Sequence, residues 1–176
     1  MTTSRLRVPA GYVAGLIALV LARPYPSSLV AGGVLALLGE SLRIWASGHI
    51  DKTQHLATGG PYALTRNPLY LGSLLVGFGV AVAAASPWAA GVALLYFAVF
   101  YPAVMREEAR FLRAKFVEQY DGWARAVPMF LPRPWPAGPR SSRFQWGRVA
   151  RNREWRTALA VPLMALALYA RARWLP

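Results

Sequence analysis

Between Thr58 and Gly72 the chain reads T-G-G-P-Y-A-L-T-R-N-P-L-Y-L-G, and well beyond it, where an apolar run ends, stand two adjacent carboxylates, Glu107 and Glu108. Asn67-Pro68 reads as a helix start: asparagine caps, and proline fits the first helical position, where its missing N–H costs nothing. The free N–H groups and positive end of that first turn suit a carboxylate or phosphate. Gly59 and Gly60 permit close backbone approach, and Tyr62, Arg66 and Tyr70 supply polar and aromatic surface. The same residues also fit an ordinary capped helix after a tight turn. The two glutamates read as lying at a helix C-terminus, where negative charge opposes the dipole by roughly a few tenths of a kcal/mol. A compensating cation is then expected, from Arg106, Arg110, Arg66 or a positively charged ligand, unless the pair belongs to a solvated helix face. Together the two segments outline a polar, cofactor-sized site at a membrane edge.

The elements that must position these groups are apolar stretches separated by clear punctuation. Val8 to Ala22, Ser27 to Ala46, Pro68 to Ala85 and Trp88 to Met105 read as spans, the third and fourth joined by Ser86-Pro87 as an antiparallel hairpin. The first is short: fifteen helical residues cover only about 22 Å against a ~30 Å hydrocarbon core. Within the second, Glu40 and Arg43 lie three apart and can pair on one face. Arg106 to Val127 is amphipathic, with Phe111, Leu112, Phe116 and Tyr120 at helical spacing among charges. Pro128 to Pro139 is too proline-rich for a regular helix. Ser141 to Arg156 has the Arg/Trp composition of an interfacial segment, and Thr157 to Ala170 is a last apolar stretch that crosses, is re-entrant or lies at the interface. The expectation is one all-α domain over 1–176, an integral membrane bundle of four or five spans. Its parts are a transmembrane core over 5–105, a cytoplasmic amphipathic helix closing the site over 106–132, a basic interfacial segment over 133–156 and an apolar helix over 157–176.

Composition supports a membrane protein: only 15% of the 176 residues are charged and mean hydropathy is +0.31, against about 25% charged residues in soluble domains. The N-terminal stretch superficially resembles a signal peptide but lacks a clear cleavage site, so it reads as a retained span. Twenty Lys and Arg oppose seven Asp and Glu. Their distribution favours a cytoplasmic N-terminus and puts Thr58 to Gly72 and Glu107-Glu108 on the cytoplasmic side. The arginines are thereby accounted for by topology and anionic headgroups, without a nucleic-acid partner. No cysteine occurs, which excludes disulfides, thiolate metal sites and a cysteine nucleophile. His49 and His55 alone make no metal site. Neither the phosphate-loop and dinucleotide glycine motifs nor the G-x-S-x-G elbow is present.

Gln54-His55-Leu56-Ala57-Thr58-Gly59-Gly60-Pro61-Tyr62, Arg66-Asn67-Pro68-Leu69-Tyr70-Leu71-Gly72, Glu107-Glu108 and Tyr120-Asp121-Gly122-Trp123 ahead of Val127-Pro128 resemble the isoprenylcysteine carboxyl methyltransferase family, to which the phospholipid N-methyltransferases are related. The resemblance covers roughly Arg43 to Pro132. It implies S-adenosylmethionine as cofactor, contacted by Gln54, His55, Leu56, Ala57, Gly60, Tyr62, Arg66, Asn67, Pro68, Leu69, Tyr70 and Glu108. Two positions depart from it. Asn67 stands where the eukaryotic enzymes have histidine. Val104 stands where they have a substrate-contacting arginine, and Arg106 lies about 200° further round the helix, so a prenylcysteine substrate does not carry over.

The sequence thus points to methyl transfer onto a lipid-like or otherwise hydrophobic acceptor, with membrane lipids as surroundings. Glu107 and Arg106 are the candidate catalytic groups, and Glu107 or His55 is the candidate proton acceptor for an amine. An N-methyltransferase acting on a phospholipid or small amphiphile is the alternative. A basic membrane scaffold that holds anionic lipids through Arg133 to Arg156 is the non-enzymatic one.

Overall fold

The computed structural model describes residues 2–50, 55–137 and 143–174, and every regular element among them is helical. In chain order these are α1 (Thr2–Leu21), α2 (Pro26–Ser47), a single 3-10 turn (Gly60–Ala63), α3 (Pro68–Ala84), α4 (Pro87–Lys115), α5 (Val117–Ala126), α6 (Trp146–Arg151) and α7 (Trp155–Trp174). Proline opens α2, α3 and α4, at the position that needs no N–H partner.

The most extensive helix contact is between α2 and α3, and small residues are the reason. A Cβ built on Gly39 would lie 2.6 Å from the Gly72 carbonyl oxygen, and one on Gly79 would lie 2.6 Å from Gly32 O and Ala36 N. The two backbones touch along this line, which gains dispersion contact where no hydrophobic force acts between helices in lipid. Gly33 differs, because a Cβ there meets nothing within 4 Å. Gly79→Ala is therefore expected to cost about 1–3 kcal/mol by overpacking. Gly33→Ala should be neutral or add up to about 1 kcal/mol by helix propensity. Thermal unfolding in detergent measures both.

The Ser86-Pro87 hairpin forms as the sequence implies, with Ala85 in the left-handed region at φ 48 and Ser86 Oγ accepting from Ala89 N–H. At that end of the bundle Ala18, Ala22, Ala83, Ala84, Ala89 and Leu168 pack into one cluster. At the other end Ala46, Leu56, Tyr62, Tyr120, Trp123 and Val127 form a second. Helix α7 runs from one to the other: Thr157 meets Arg43 near the second cluster, and Leu168 is buried in the first.

Three boundaries differ from the sequence reading. Helices α1 and α7 each run 20 residues, about 30 Å, because the helix continues through the flanking arginines that the apolar pattern left out. Helix α4 does not stop at Met105; it continues for 29 residues to Lys115, since Arg106 to Lys115 contains no breaker. The chain bends only at Phe116, where φ −128 and ψ 47 leave the helical region. Glu107 and Glu108 therefore lie more than a turn inside a helix, and the expected dipole conflict at its C-terminus does not arise. As expected, 127–137 forms no helix.

Helices α2 and α4 are long and apolar enough to cross a membrane, and α3, at 17 residues, is apolar but shorter. Tyr12 and Leu16 on α1, Val30 and Val34 on α2, Leu94 and Leu95 on α4, and Leu163 and Leu166 on α7 all face outward. So large an apolar exterior suits hydrocarbon rather than water, in keeping with a membrane protein.

Candidate active site

The loop after α2 and the last turns of α4 meet where the second cluster closes the bundle. Tyr70, in the first turn of α3, donates its hydroxyl hydrogen to Glu108 Oε2 at 2.8 Å. They border a cavity of about 620 Å³, a volume in the range of small-molecule sites. His55, Leu56, Ala57, Tyr62, Arg66, Leu69, Tyr70 and Glu108 all line it. Its remaining wall is largely aromatic and aliphatic: Ile50, Phe111, Leu112, Phe116 and Trp123, with Tyr96 and Tyr101 from α4.

Other residues from the sequence list lie elsewhere. Asn67, Pro68 and Gly60 do not line the cavity; they build its frame. Asn67 sits at the N-cap position of α3 but does not cap. Its Nδ2 donates instead to Met129 O at 2.8 Å, while Arg66 N–H donates to Pro128 O and Thr65 Oγ1 to Phe130 O. The proline-rich strap thus packs over the start of α3 and takes up the polar groups of Thr65, Arg66 and Asn67 just before it. Gly60 takes φ +57, and a Cβ there would collide with the His49 ring. That ring is buried and contacts Trp45 O through Nδ1 at 2.9 Å, a packing role. Arg106 and Glu107 do not line the cavity either; on a helix they are turned about 200° and 100° from Glu108. Gln54 lies outside the described residues.

Local chemistry sets the tyrosines' roles. Burial, reinforced by the nearby Glu108 carboxylate, holds the Tyr62 hydroxyl well above the ordinary tyrosine range, so it stays a neutral donor. The Tyr62 carbonyl accepts from Trp123 Nε1 at 2.9 Å, tying α5 to the glycine loop. Arg66 donates to Tyr120 Oη at 3.0 Å, a second tie to α5. Trp123→Phe leaves a buried carbonyl without its donor and is expected to cost about 1–3 kcal/mol, measurable as a lowered melting temperature.

Two features escaped the sequence reading. Arg7, one of the twenty basic residues read above only for their distribution, reaches the site from α1: its guanidinium lies 5.2 Å from the Tyr70 ring centroid and lines the cavity. Arg43 lines it too, held by Leu69 O, Ser73 Oγ and Thr157 Oγ1 and paired with Glu40 at 3.6 Å and Glu154 at 2.6 Å. The Glu40 pairing was legible from its spacing; Glu154, separated in sequence and set among arginines, was not.

A second, apolar cavity of about 310 Å³ adjoins the first, sharing Val8, Ser73, Tyr96, Tyr101 and Thr157. It continues between α1, α3, α4 and α7 past Gly15, Gly77, Ala93 and Met164. Among the described residues no group of three or more His, Asp or Glu side chains is placed to hold a metal ion.

The family model described as phospholipid methyltransferase matches residues 28–119. Two relatives are similar to this chain. The cobalt-zinc-cadmium resistance protein CzcN of Cupriavidus metallidurans is 42% identical over 105 residues, 56% of this chain and 48% of its own length. The nickel-cobalt-cadmium resistance protein NccN of Alcaligenes xylosoxydans xylosoxydans is 32% identical over 157 residues, 85% of this chain and 73% of its own. The chain thus spans about half the length of the first relative. No solved structure matches it.

Proposed function

This chain belongs to the phospholipid methyltransferase family, and on that premise we propose that it is a membrane methyltransferase using S-adenosylmethionine to methylate a lipid-like acceptor. The observation that carries the reading is the Tyr70–Glu108 pair at the wall of the 620 Å³ cavity. Bound there, S-adenosylmethionine supplies a methyl group on a positively charged sulfur. The residues present fit such a molecule. Glu108 accepts hydrogen bonds from its amine or ribose hydroxyls, Tyr70 orients that carboxylate, and Leu56, Ala57 and Tyr62 pack against the remainder. The aromatic wall gives the ligand's flat and apolar parts a packing surface; with ligand and acceptor in place water is displaced, which strengthens each electrostatic contact.

The adjoining apolar cavity takes the acceptor's hydrocarbon part, entering from the bilayer between helices. Arg7, at the junction, holds an anionic group of the acceptor. For a carboxylate acceptor the nucleophile is already ionised at neutral pH, and no base is required. Alignment and exclusion of water then supply the catalysis. This is the isoprenylcysteine carboxyl methyltransferase-like reading. The family match favours a second, N-methylation of a phospholipid amine, whose phosphate also suits Arg7. Proton acceptance would then fall to His55, which lines the cavity, rather than to Glu107, which does not. In either reading five helices, α1 to α4 and α7, cross the bilayer. The strongly basic end near the site faces the cytoplasm, as the positive-inside rule requires.

The test feeds methyl-labelled methionine to cells expressing the wild type or Glu108→Gln. Label in the lipid extract above that of cells lacking the protein is expected only with the wild type; label released by alkali as methanol identifies a methyl ester, and label that stays on the water-soluble amine head group identifies N-methylation. Equal label from both proteins, or none, would overturn the reading.

A further inference from the structure

A groove of about 390 Å³ lies between α2, α3 and α7, on the other side of Arg43 from the proposed methyl-transfer cavity. It is apolar along its length and ends in a carboxylate. Glu40 reaches into it, its side chain is only 8% exposed, and neither of its oxygens has a hydrogen-bond partner among the described residues. Among the described residues its cationic neighbour is Arg43 at 3.6 Å, shared with Glu154, whose 2.6 Å contact is the closer. Among the described residues the two buried carboxylates thus share the Arg43 guanidinium, and the Glu40 oxygens at the end of the groove keep unused capacity to accept hydrogen bonds. Leaving a carboxylate so placed without a second partner is costly in a low-dielectric surrounding.

Gly33 gives independent support. It lines the groove in mid-helix, yet no contact requires its lack of a side chain, unlike Gly32 and Gly39 on the same helix. A glycine there costs helix stability relative to alanine and leaves room in the groove. From Glu40 to Leu29 the groove runs eleven residues along α2, about 16 Å. Leu37 and Tyr169 at its rim are exposed, so a chain can enter sideways from lipid.

We propose that this groove binds a cationic amphiphile, with its ammonium group on Glu40 and its hydrocarbon chain running along Gly33 toward α7. The occupant follows from charge complementarity: the ammonium is positively charged and donates to the carboxylate oxygens. The site is separate from the Glu108 cavity and does not depend on methyl transfer.

The experiment is native mass spectrometry of the full chain in an uncharged detergent, titrated with dodecylamine, dodecanol or dodecanoate. The wild type is expected to retain one dodecylamine at least tenfold more tightly than either other ligand. Glu40→Gln, which leaves Arg43 paired with Glu154, should lose that preference. Gly33→Phe, which fills the groove without meeting any neighbour at its Cβ position, should lose retention of the amine while keeping the wild-type melting temperature. If the three ligands are retained alike by the wild type, or if Gly33→Phe retains the amine as the wild type does, the proposal is wrong. Should Glu40→Gln fail to fold, Gly33→Phe and the comparison of the three head groups decide the matter alone.

Discussion

Glu108→Gln is expected to weaken S-adenosylmethionine binding about 100-fold and to remove methyl transfer, while the protein stays folded. The carboxylate accepts from the Tyr70 hydroxyl, and in the proposed function it also accepts from the ligand's amine or hydroxyl hydrogens. Hydrogen bonds to a charged group are worth about 1.5–3 kcal/mol, and about 2.8 kcal/mol corresponds to 100-fold. Glutamine keeps the shape but loses the charge and one acceptor. Tyr70→Phe removes only the orienting donor, so a smaller loss of about tenfold is expected. The order of the two variants is the informative part. If Tyr70→Phe cost more than Glu108→Gln, the hydroxyl would be the main contact and the carboxylate its support. Isothermal calorimetry of both variants, with circular dichroism to verify helix content, measures this.

Arg43→Met is expected to destabilise the protein by about 3–5 kcal/mol, as removal of one partner from a buried ion network does. Glu40 and Glu154, with 8% and 6% of their side chains exposed, would be left facing each other without a cation. For a chain of this size the melting temperature should fall by about 10 °C. The loss should be partly repaired in the triple variant with Glu40→Gln and Glu154→Gln, since the uncompensated charges are then gone. No repair would mean that Arg43 acts mainly through Leu69 O, Ser73 and Thr157. Because Arg43 also lines the cavity, stability and cofactor affinity should be measured separately on the same preparation.

Punctuation made much of the architecture legible in the sequence. Ser86-Pro87 could only be a hairpin, and the proline-rich stretch is irregular through 137, the last described residue there. Asn67-Pro68 marked the start of α3 correctly. What asparagine would do there was misread, because capping is a local preference and the strap residue Met129 offers its side chain a tertiary partner instead. The end of α4 was misplaced for a related reason: a change from apolar to charged residues marks a change of surroundings, not of backbone. The helix passes through it and carries Glu108 up to Tyr70.

The site itself divided the same way. Of the residues that the resemblance implied around the glycine loop, His55, Leu56, Ala57, Tyr62, Arg66, Leu69 and Tyr70 line the cavity. Arg7 and Glu154 were missed because each acts across more than sixty residues of sequence, Arg7 on Tyr70 and Glu154 on Arg43. Each looks locally like one more surface charge. Arg106 and Glu107 were the candidate compensating cation and proton acceptor, but successive residues on a helix point about 100° apart, so they do not share the face of Glu108.

The most direct measurement is a calorimetric titration of the purified wild-type chain with S-adenosylmethionine. The cavity bounded by Tyr70, Glu108 and the 55–57 segment predicts saturable one-to-one binding that S-adenosylhomocysteine displaces. Heat indistinguishable from dilution up to millimolar ligand, in protein that is folded by circular dichroism, would contradict it.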